Sequence, residues 1–438
     1  MKSSHFLLVA AVLITTTLAR ADSEKEQTIL TKTPNPEPLQ IGSKGMKLIP
    51  SRPVTIHSVR YAERWFPFLF RHSDGSLLLY MQYGHDANFS PALRIRSEDN
   101  GGTWSEPVDN VPRLAWSHSF VDGELFEIDT YGVQDPKSPE TAVYWGAWSH
   151  PGRVNDVPQR GFVRVHAPSI KSVSLASMQG KGYPTHQWWP LWNSLWGRDN
   201  MSGQEIQLNG PYFTSGVTLD GDQIMAMAYG LDRQSSSGKY CLLALESRDR
   251  GHTWEEITVA ARDDALPEGP CEATVVRLKD RRLYCAMRTG LILYQIWSSD
   301  EGRTWTKLEP IQLVDSDHRL GRVWPVAKVL DDGTLVMVCG RPGKDLIFDP
   351  TGTGTQWQGR LDLTAWEQET QALLGVPAEL RIRRPHPDVR HWDSSDYLAL
   401  VPDGPQQLIV VYDAQNYVEN WNAKPATAVR MVRVRIER

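Results

Sequence analysis

An all-β fold assembled from repeated four-stranded units is what this 438-residue sequence predicts, and three observations carry the expectation. Short apolar runs alternate with Asp-Gly turns from Ser51 onward, one octapeptide occurs three times, and its later copies are spaced near fifty residues. Helical periodicity is confined to one segment, "TAWEQETQALLG" from Thr364.

Four segments read as strand, tight turn, strand: "FPFLFRHSDGSLLLYMQ" from Phe66, "VTLDGDQIMAMAY" from Val217, "WPVAKVLDDGTLVMVCG" from Trp324 and "YLALVPDGPQQLIVVYD" from Tyr397. Each sets apolar or β-branched residues on both sides of a turn rich in Asp, Gly or Pro, the local chemistry of a β-hairpin.

The octapeptide is "SEDNGGTW" at Ser97, "SRDRGHTW" at Ser247 and "SSDEGRTW" at Ser298. Its residue types suit a turn. Asp99, Asp249 and Asp300 can accept hydrogen bonds from nearby backbone N–H groups, Gly101, Gly251 and Gly302 can take a positive φ, and Trp104, Trp254 and Trp305 can fold beneath. The second and third copies start 51 residues apart, and a degenerate relative, "FDPTGTGTQW" at Phe348, follows 50 residues later. The first and second copies are separated by 150 residues, room for three units. A period near fifty with four strands per unit is the pattern of a β-propeller blade, and six blades are expected over residues 51–438.

Ser-x-Asp-x-Gly-x-Thr-Trp is similar to the Asp-box, or BNR repeat, of the sialidase (neuraminidase) superfamily. Three full copies make the resemblance specific. It implies an all-β six-bladed β-propeller with four-stranded antiparallel blades and the boxes on the rim away from the pocket. It also implies a hydrolase that needs no cofactor or metal: a retaining exo-α-sialidase acting on a carbohydrate, a glycoconjugate or an oligosaccharide. Sialidases work through a Tyr nucleophile with a Glu partner, an acid/base Asp and three arginines. The chemistry explains that cast. A sialic acid carries a carboxylate on its anomeric carbon, so a neutral Tyr avoids the repulsion an anionic nucleophile would meet. Arginine binds the carboxylate through its planar fork.

Propellers act at the mouth of the central channel, where the innermost strands begin. The segment "PCEATVVRLKDRRLYCAMRTG" resembles the family segment in which a Glu opens one strand and an Arg closes the next, which makes Glu272 the base and Arg288 a clamp arginine. Asp86, one strand before the first box, corresponds to the acid/base. Two positions depart by one residue. Counting from Gly75, Trp65 occupies the place of the first clamp arginine and Arg64 precedes it; counting from Gly404, Asp396 occupies the place of the Tyr and Tyr397 follows it. On a strand one residue reverses the face unless a bulge intervenes. Arg64 and Tyr397 are nevertheless taken as clamp and nucleophile, and Arg341 in "CGRPGKD" as the third clamp. The departures leave two alternatives open: a glycosidase of the same fold for a different sugar, and a non-catalytic carbohydrate-binding propeller. The tryptophans of "HQWWPLWNSLW", Trp188 to Trp196, suit either sugar stacking or a covering loop.

Composition agrees with a folded protein: 23% charged and 40% hydrophobic residues. The start "MKSSHFLLVAAVLITTTLARA" has a basic residue, a short apolar run and a small-x-small site at Ala21, so residues 1–21 are expected to be a signal peptide and the protein secreted or periplasmic. Residues 22–50 read as a linker or edge-packing arm. Cleavage removes Lys2 and Arg20 and moves the formal charge from −5 to −7, which argues against nucleic acid as a partner. No segment is long enough to span a membrane stably. The four cysteines lie in apolar runs without metal-ligand spacing and are expected to be buried thiols.

Overall fold

The computed structural model describes residues 39–41, 46–59, 65–83, 92–111, 114–129, 132–135, 137–152, 157–174, 207–341, 343–382, 395–417 and 426–437. The segment 1–21, Arg64, Asp86 and the Trp188–Trp196 run lie outside them.

All four Asp-Gly hairpins form. The middle strand of each unit is apolar at nearly every position, because both faces of each sheet are covered. Leu77, Leu79 and Met81 face one neighbouring sheet and Leu78 and Tyr80 the other; all five are buried. The strand Leu335–Gly340 is buried throughout.

Four blades of a propeller-like arrangement stand as separate sheets. The first runs through Trp65–Arg71, Leu77–Tyr83, Ala92–Ser97 and Val108–Val111. Two others open on Cys271–Arg277 and Val323–Val329, each four-stranded. The last is built from both ends of the described chain. Leu398–Pro402, Gln407–Tyr417 and Ala426–Glu437 pair in order, and the N-terminal strands Met46–Pro50 and Val54–Val59 both pair antiparallel with Ala426–Glu437. Leu39–Ile41 pairs in turn with Met46–Pro50 and forms the sheet edge.

The remaining strands form one eleven-stranded sheet rather than separate blades. It contains an antiparallel run starting at Leu114–Ser119 and a second run of four starting at Tyr212–Asp220. Parallel pairing of Arg164–His166 with Thr253–Glu255 joins them. Apolar clusters fill the spaces between neighbours around the ring: Phe126 with Phe213, Met225 with Ala273, Tyr284 with Ala327, Val338 with Leu398, Leu79 with Ile409, and Leu78 with Leu125. The four cysteines are buried and unbonded to one another.

The boxes behave as turn clamps. In the second, Asp249 accepts from the Ser247 hydroxyl (2.9 Å), the Thr253 N–H (2.8 Å) and the Thr253 hydroxyl (2.6 Å), while the Gly251 N–H donates to the Ser247 hydroxyl (2.8 Å). The same bonds recur around Asp99 and Asp300. The glycines take φ +86, +90 and +88, and the residue before each, Asn100, Arg250 and Glu301, is left-handed as well. A Cβ on Gly251 would lie 2.7 Å from the Phe126 ring, so both conformation and space require glycine there. Trp254 is fully buried between sheets and donates to the Gly251 carbonyl (3.0 Å); Trp104 and Trp305 are half-buried. Arg250 extends to the adjacent unit, pairing with Asp122 and Glu124 at 2.9 and 2.8 Å. In the degenerate copy, Asp349 accepts from the N–H groups of Thr351 and Gly354 at 2.8 and 2.7 Å.

Among the described residues one α-helix, Leu363–Leu373, occupies the expected segment, capped by Asp362, which accepts from the Ala365 N–H (3.0 Å). Its Glu367, fully buried, accepts from Arg430 and the Tyr412 hydroxyl and so fastens the helix to the last sheet. No helix among the described residues is long and apolar enough to cross a membrane.

The box carboxylates connect this geometry to acid stability. Hydrogen bonds from Thr103 hold Asp99 at about 2 and those from Thr304 lower Asp300; burial opposes the shift at Asp249, but the Thr253 and Ser247 bonds outweigh it. A depressed folded-state pKa contributes stability that is present above the unfolded value, about 3.9, and is lost as pH falls toward the folded value. The unfolding free energy should therefore fall as pH drops below about 4. The Asp99→Asn, Asp249→Asn, Asp300→Asn triple variant should show a shallower fall over the same window in urea titrations at successive pH. Parallel slopes in the two proteins would refute the role given to these carboxylates.

Candidate active site

The inner strands begin irregularly at one end of the ring. Cys271 pairs with Arg288 and Thr274 with Ala286, so Glu272 and Ala273 sit in a register shift, with Glu272 at φ +42. The next blade repeats the device: Val323 pairs with Gly340, Val326 with Val338, and Trp324 has φ +31. In the last blade Asp396, φ +61, stands two residues before the first regular pair, Leu398 with Tyr412. Glu272 and Trp324 hold the same position relative to theirs. Arg341, at the exit of Leu335–Gly340, has φ +58. Left-handed backbone costs a non-glycine residue about 1–3 kcal/mol and clusters where side chains must be aimed.

Four side chains meet at this end of the strands. The Tyr397 hydroxyl donates to Glu272 Oε1 at 2.8 Å across 125 positions of sequence. Arg288 Nη1 donates to both Glu272 oxygens at 3.1 and 3.0 Å, and the Trp324 N–H approaches Glu272 Oε2 at 3.3 Å. The other side of the Arg288 fork holds Glu268, with Nε to Oε2 at 2.7 Å and Nη2 to Oε1 at 2.9 Å. Arg341 lies 5.9 Å from the Tyr397 ring centre and donates to the Ser395 carbonyl (2.8 Å). Phe66 meets Tyr397 edge-on at 5.0 Å between ring centres, and Trp324 is tilted against it at 5.6 Å.

Glu272, Arg288, Arg341 and Tyr397 are thus brought together, while Arg64 and Asp86 lie outside the described residues. The single-residue offset at Tyr397 has a physical account: the left-handed Asp396 redirects the chain, so Tyr397 reaches Glu272. Asp396 itself is fully buried, and its carboxylate approaches Lys344, itself buried, at 3.6 Å. Ser395 is held by Asp413, which accepts from its N–H (2.8 Å) and hydroxyl (2.8 Å). Sequence reasoning missed Glu268, Trp324 and Phe66. Glu268 carried a usable signal, a second carboxylate four residues before Glu272; Phe66 and Trp324 read as ordinary strand aromatics.

Burial, reinforced by the Glu272 charge, pushes the Tyr397 phenol well above its ordinary value, while Arg288 and Arg341 pull the other way. Burial alone would lower Arg288; Glu272 and Glu268 reverse that and hold it firmly charged. The arrangement is a neutral phenol hydrogen-bonded to a carboxylate and flanked by two guanidinium groups. Such a group can attack an electrophilic carbon as its proton passes to the carboxylate. The described residues hold no cluster of His, Cys, Asp and Glu suited to a metal ion.

Residues 195–380 match the family model of the BNR repeat-like domain, which bears out the resemblance read from the octapeptides. A search of curated proteins finds no match. Among solved structures, a protein described as of unknown function from Dyadobacter fermentans is 15% identical, with 89% of this chain and 99% of that one covered and a TM-score of 0.51. A sialidase from Streptococcus pneumoniae is 14% identical, over 88% and 70% of the two chains, with a TM-score of 0.45. An α-L-arabinofuranosidase from Fusarium graminearum is 12% identical, over 86% and 97%, with a TM-score of 0.48.

The backbone strain at Glu272 is measurable. In an unstrained strand, Gly is less stable than Ala; at φ +42 the order should invert. Both variants lose the same carboxylate, so Glu272→Gly should exceed Glu272→Ala in unfolding free energy by about 1 kcal/mol in urea titration. Greater stability of the Ala variant would contradict a strained Glu272.

Proposed function

We propose, from the premise that this chain is a BNR-repeat β-propeller, that it is an exported, retaining exo-glycosidase of the sialidase type, removing a terminal sialic acid or related acidic sugar. The observation that carries the reading is the 2.8 Å hydrogen bond from Tyr397 to Glu272. Six blades belong to the same proposal. The two antiparallel runs within the eleven-stranded sheet supply the blades additional to the four separate sheets, and the apolar clusters between neighbours support that count.

In the proposed reaction the Tyr397 oxygen attacks the anomeric carbon while Glu272 takes the phenolic proton. Asp86 gives its proton to the departing glycosidic oxygen. The glycosyl–Tyr397 intermediate is then hydrolysed by water that Asp86 deprotonates, and Glu272 returns its proton to Tyr397, so configuration is retained. A phenol suits a substrate whose anomeric carbon bears a carboxylate. Arg341 and Arg288, with Arg64, would bind that carboxylate and stabilise negative charge developing on the Tyr397 oxygen.

A second reading has its own support. Arg288 already faces two carboxylates, which leaves it fewer donors for a substrate carboxylate. That favours a glycosidase of the same mechanism acting on a neutral sugar.

Hydrolysis of an aryl α-sialoside beside a panel of neutral aryl glycosides separates the two. The sialidase reading expects turnover of the sialoside. In Tyr397→Phe, kcat should fall at least about a thousandfold while the ring's packing is retained. Turnover of a neutral glycoside alone would reject the sialic acid assignment, and full activity of Tyr397→Phe would reject the site.

A further inference from the structure

On the ring axis a cavity of about 170 Å³ is bordered by residues of the inner strands, among them Phe68, Trp116, Ser215, Thr274, Trp324 and Lys328. None of the residues bordering it is an Asp or Glu. The strand Val323–Val329 contributes Lys328, whose ammonium has no hydrogen bond or ion pair among the described residues. That separates it from Lys344, which has Asp396.

The hydroxyls point to the same chemistry. Ser215 accepts from the Val275 N–H at 2.7 Å, and Thr274 accepts from the Ala327 N–H at 3.2 Å. Each oxygen is therefore occupied as an acceptor by a backbone donor of the neighbouring strand, and its proton has no acceptor among the described residues. Thr214 differs, since its hydroxyl donates to the Met227 carbonyl at 3.1 Å. His118, also at the cavity, is neutral at ordinary pH because burial, aided by Arg250, pushes it down to about 4. One cation and two hydroxyl donors thus border a space without a carboxylate.

We propose that this axial cavity is a binding site for a small inorganic monovalent anion of halide size, held by the Lys328 ammonium and the Ser215 and Thr274 hydroxyls. Lys328 is half-buried, and taking its unpartnered ammonium out of water is costly; a bound anion offsets that cost. Burial lowers the Lys328 pKa with no carboxylate raising it, in keeping with a cation that lacks a protein counter-charge. Neither Glu272 nor Tyr397 borders the cavity, which shares Trp324 with their site, and anion binding there does not depend on the reaction proposed for that pair.

Chloride is the probe. Its ³⁵Cl NMR linewidth, measured with the full chain in sodium chloride and sodium gluconate mixtures of constant ionic strength, should show saturable broadening that is lost in Lys328→Met. Ser215→Ala should weaken the affinity several-fold, as removal of one donor requires. The thermal midpoint of the wild-type protein should rise with chloride at fixed ionic strength, as binding to the native state demands, and that of Lys328→Met should not. Absence of saturable broadening in the wild-type protein, or equal broadening in Lys328→Met, would overturn the proposal.

Discussion

The site depends on closure of the ring. Glu272 and Tyr397 stand on sheets separated by the Val323 blade, and their hydrogen bond exists only while the blades hold their places around the axis. Closure is made by backbone pairing between distant parts of the chain: residues 46–50 and 54–59 both pair with the strand Ala426–Glu437. This covers an edge of the last sheet that would otherwise present unpaired N–H and C=O groups. The helix reinforces the joint, since Trp366 donates to the Ser51 carbonyl at 2.8 Å and Glu367 meets Arg430 at 2.9 Å.

The two ends of each blade follow opposite rules. At the box end the left-handed non-glycine residues, Asn100, Arg250 and Glu301, each precede a glycine inside a turn closed by its own serine, aspartate and threonine, so the geometry repeats from box to box. At the site end, Glu272, Trp324, Arg341 and Asp396 are left-handed without being glycine. Surrounding structure maintains them: Asp413 grips Ser395, and Arg288 together with the Trp324 N–H holds Glu272. Departure from local preference in otherwise regular blades marks the place where side-chain direction matters more than backbone comfort.

Charge at that place is nearly balanced among the described residues. Arg288 pairs with Glu268 and Glu272, Arg341 lies over the Tyr397 ring, and the buried Lys344–Asp396 pair adds no net charge. Tyr397 is therefore kept as a neutral phenol by burial while the arginines limit the cost of drawing off its proton. The axial cavity is a different environment, with a lysine and hydroxyl donors but no carboxylate among the residues that border it.

The sequence by itself determined the blade turns and the strand pattern, because both are local. A Ser-x-Asp-x-Gly-x-Thr-Trp turn contains most of its own donors and acceptors, and the apolar runs on either side of each Asp-Gly turn are written residue by residue. It also brought Glu272, Arg288, Arg341 and Tyr397 forward as candidates. Counting along an ideal strand left Tyr397 on the wrong side, since counting assumes extended backbone and the left-handed Asp396 breaks it. Tertiary structure decided the rest. The joining of two runs through Arg164–His166 and Thr253–Glu255, the pairing of residues 46–59 with the last strand, and the capture of Arg288 by Glu268 are long-range pairings or side-chain geometry. They are settled by which surfaces meet when the ring closes, information that no local pattern contains.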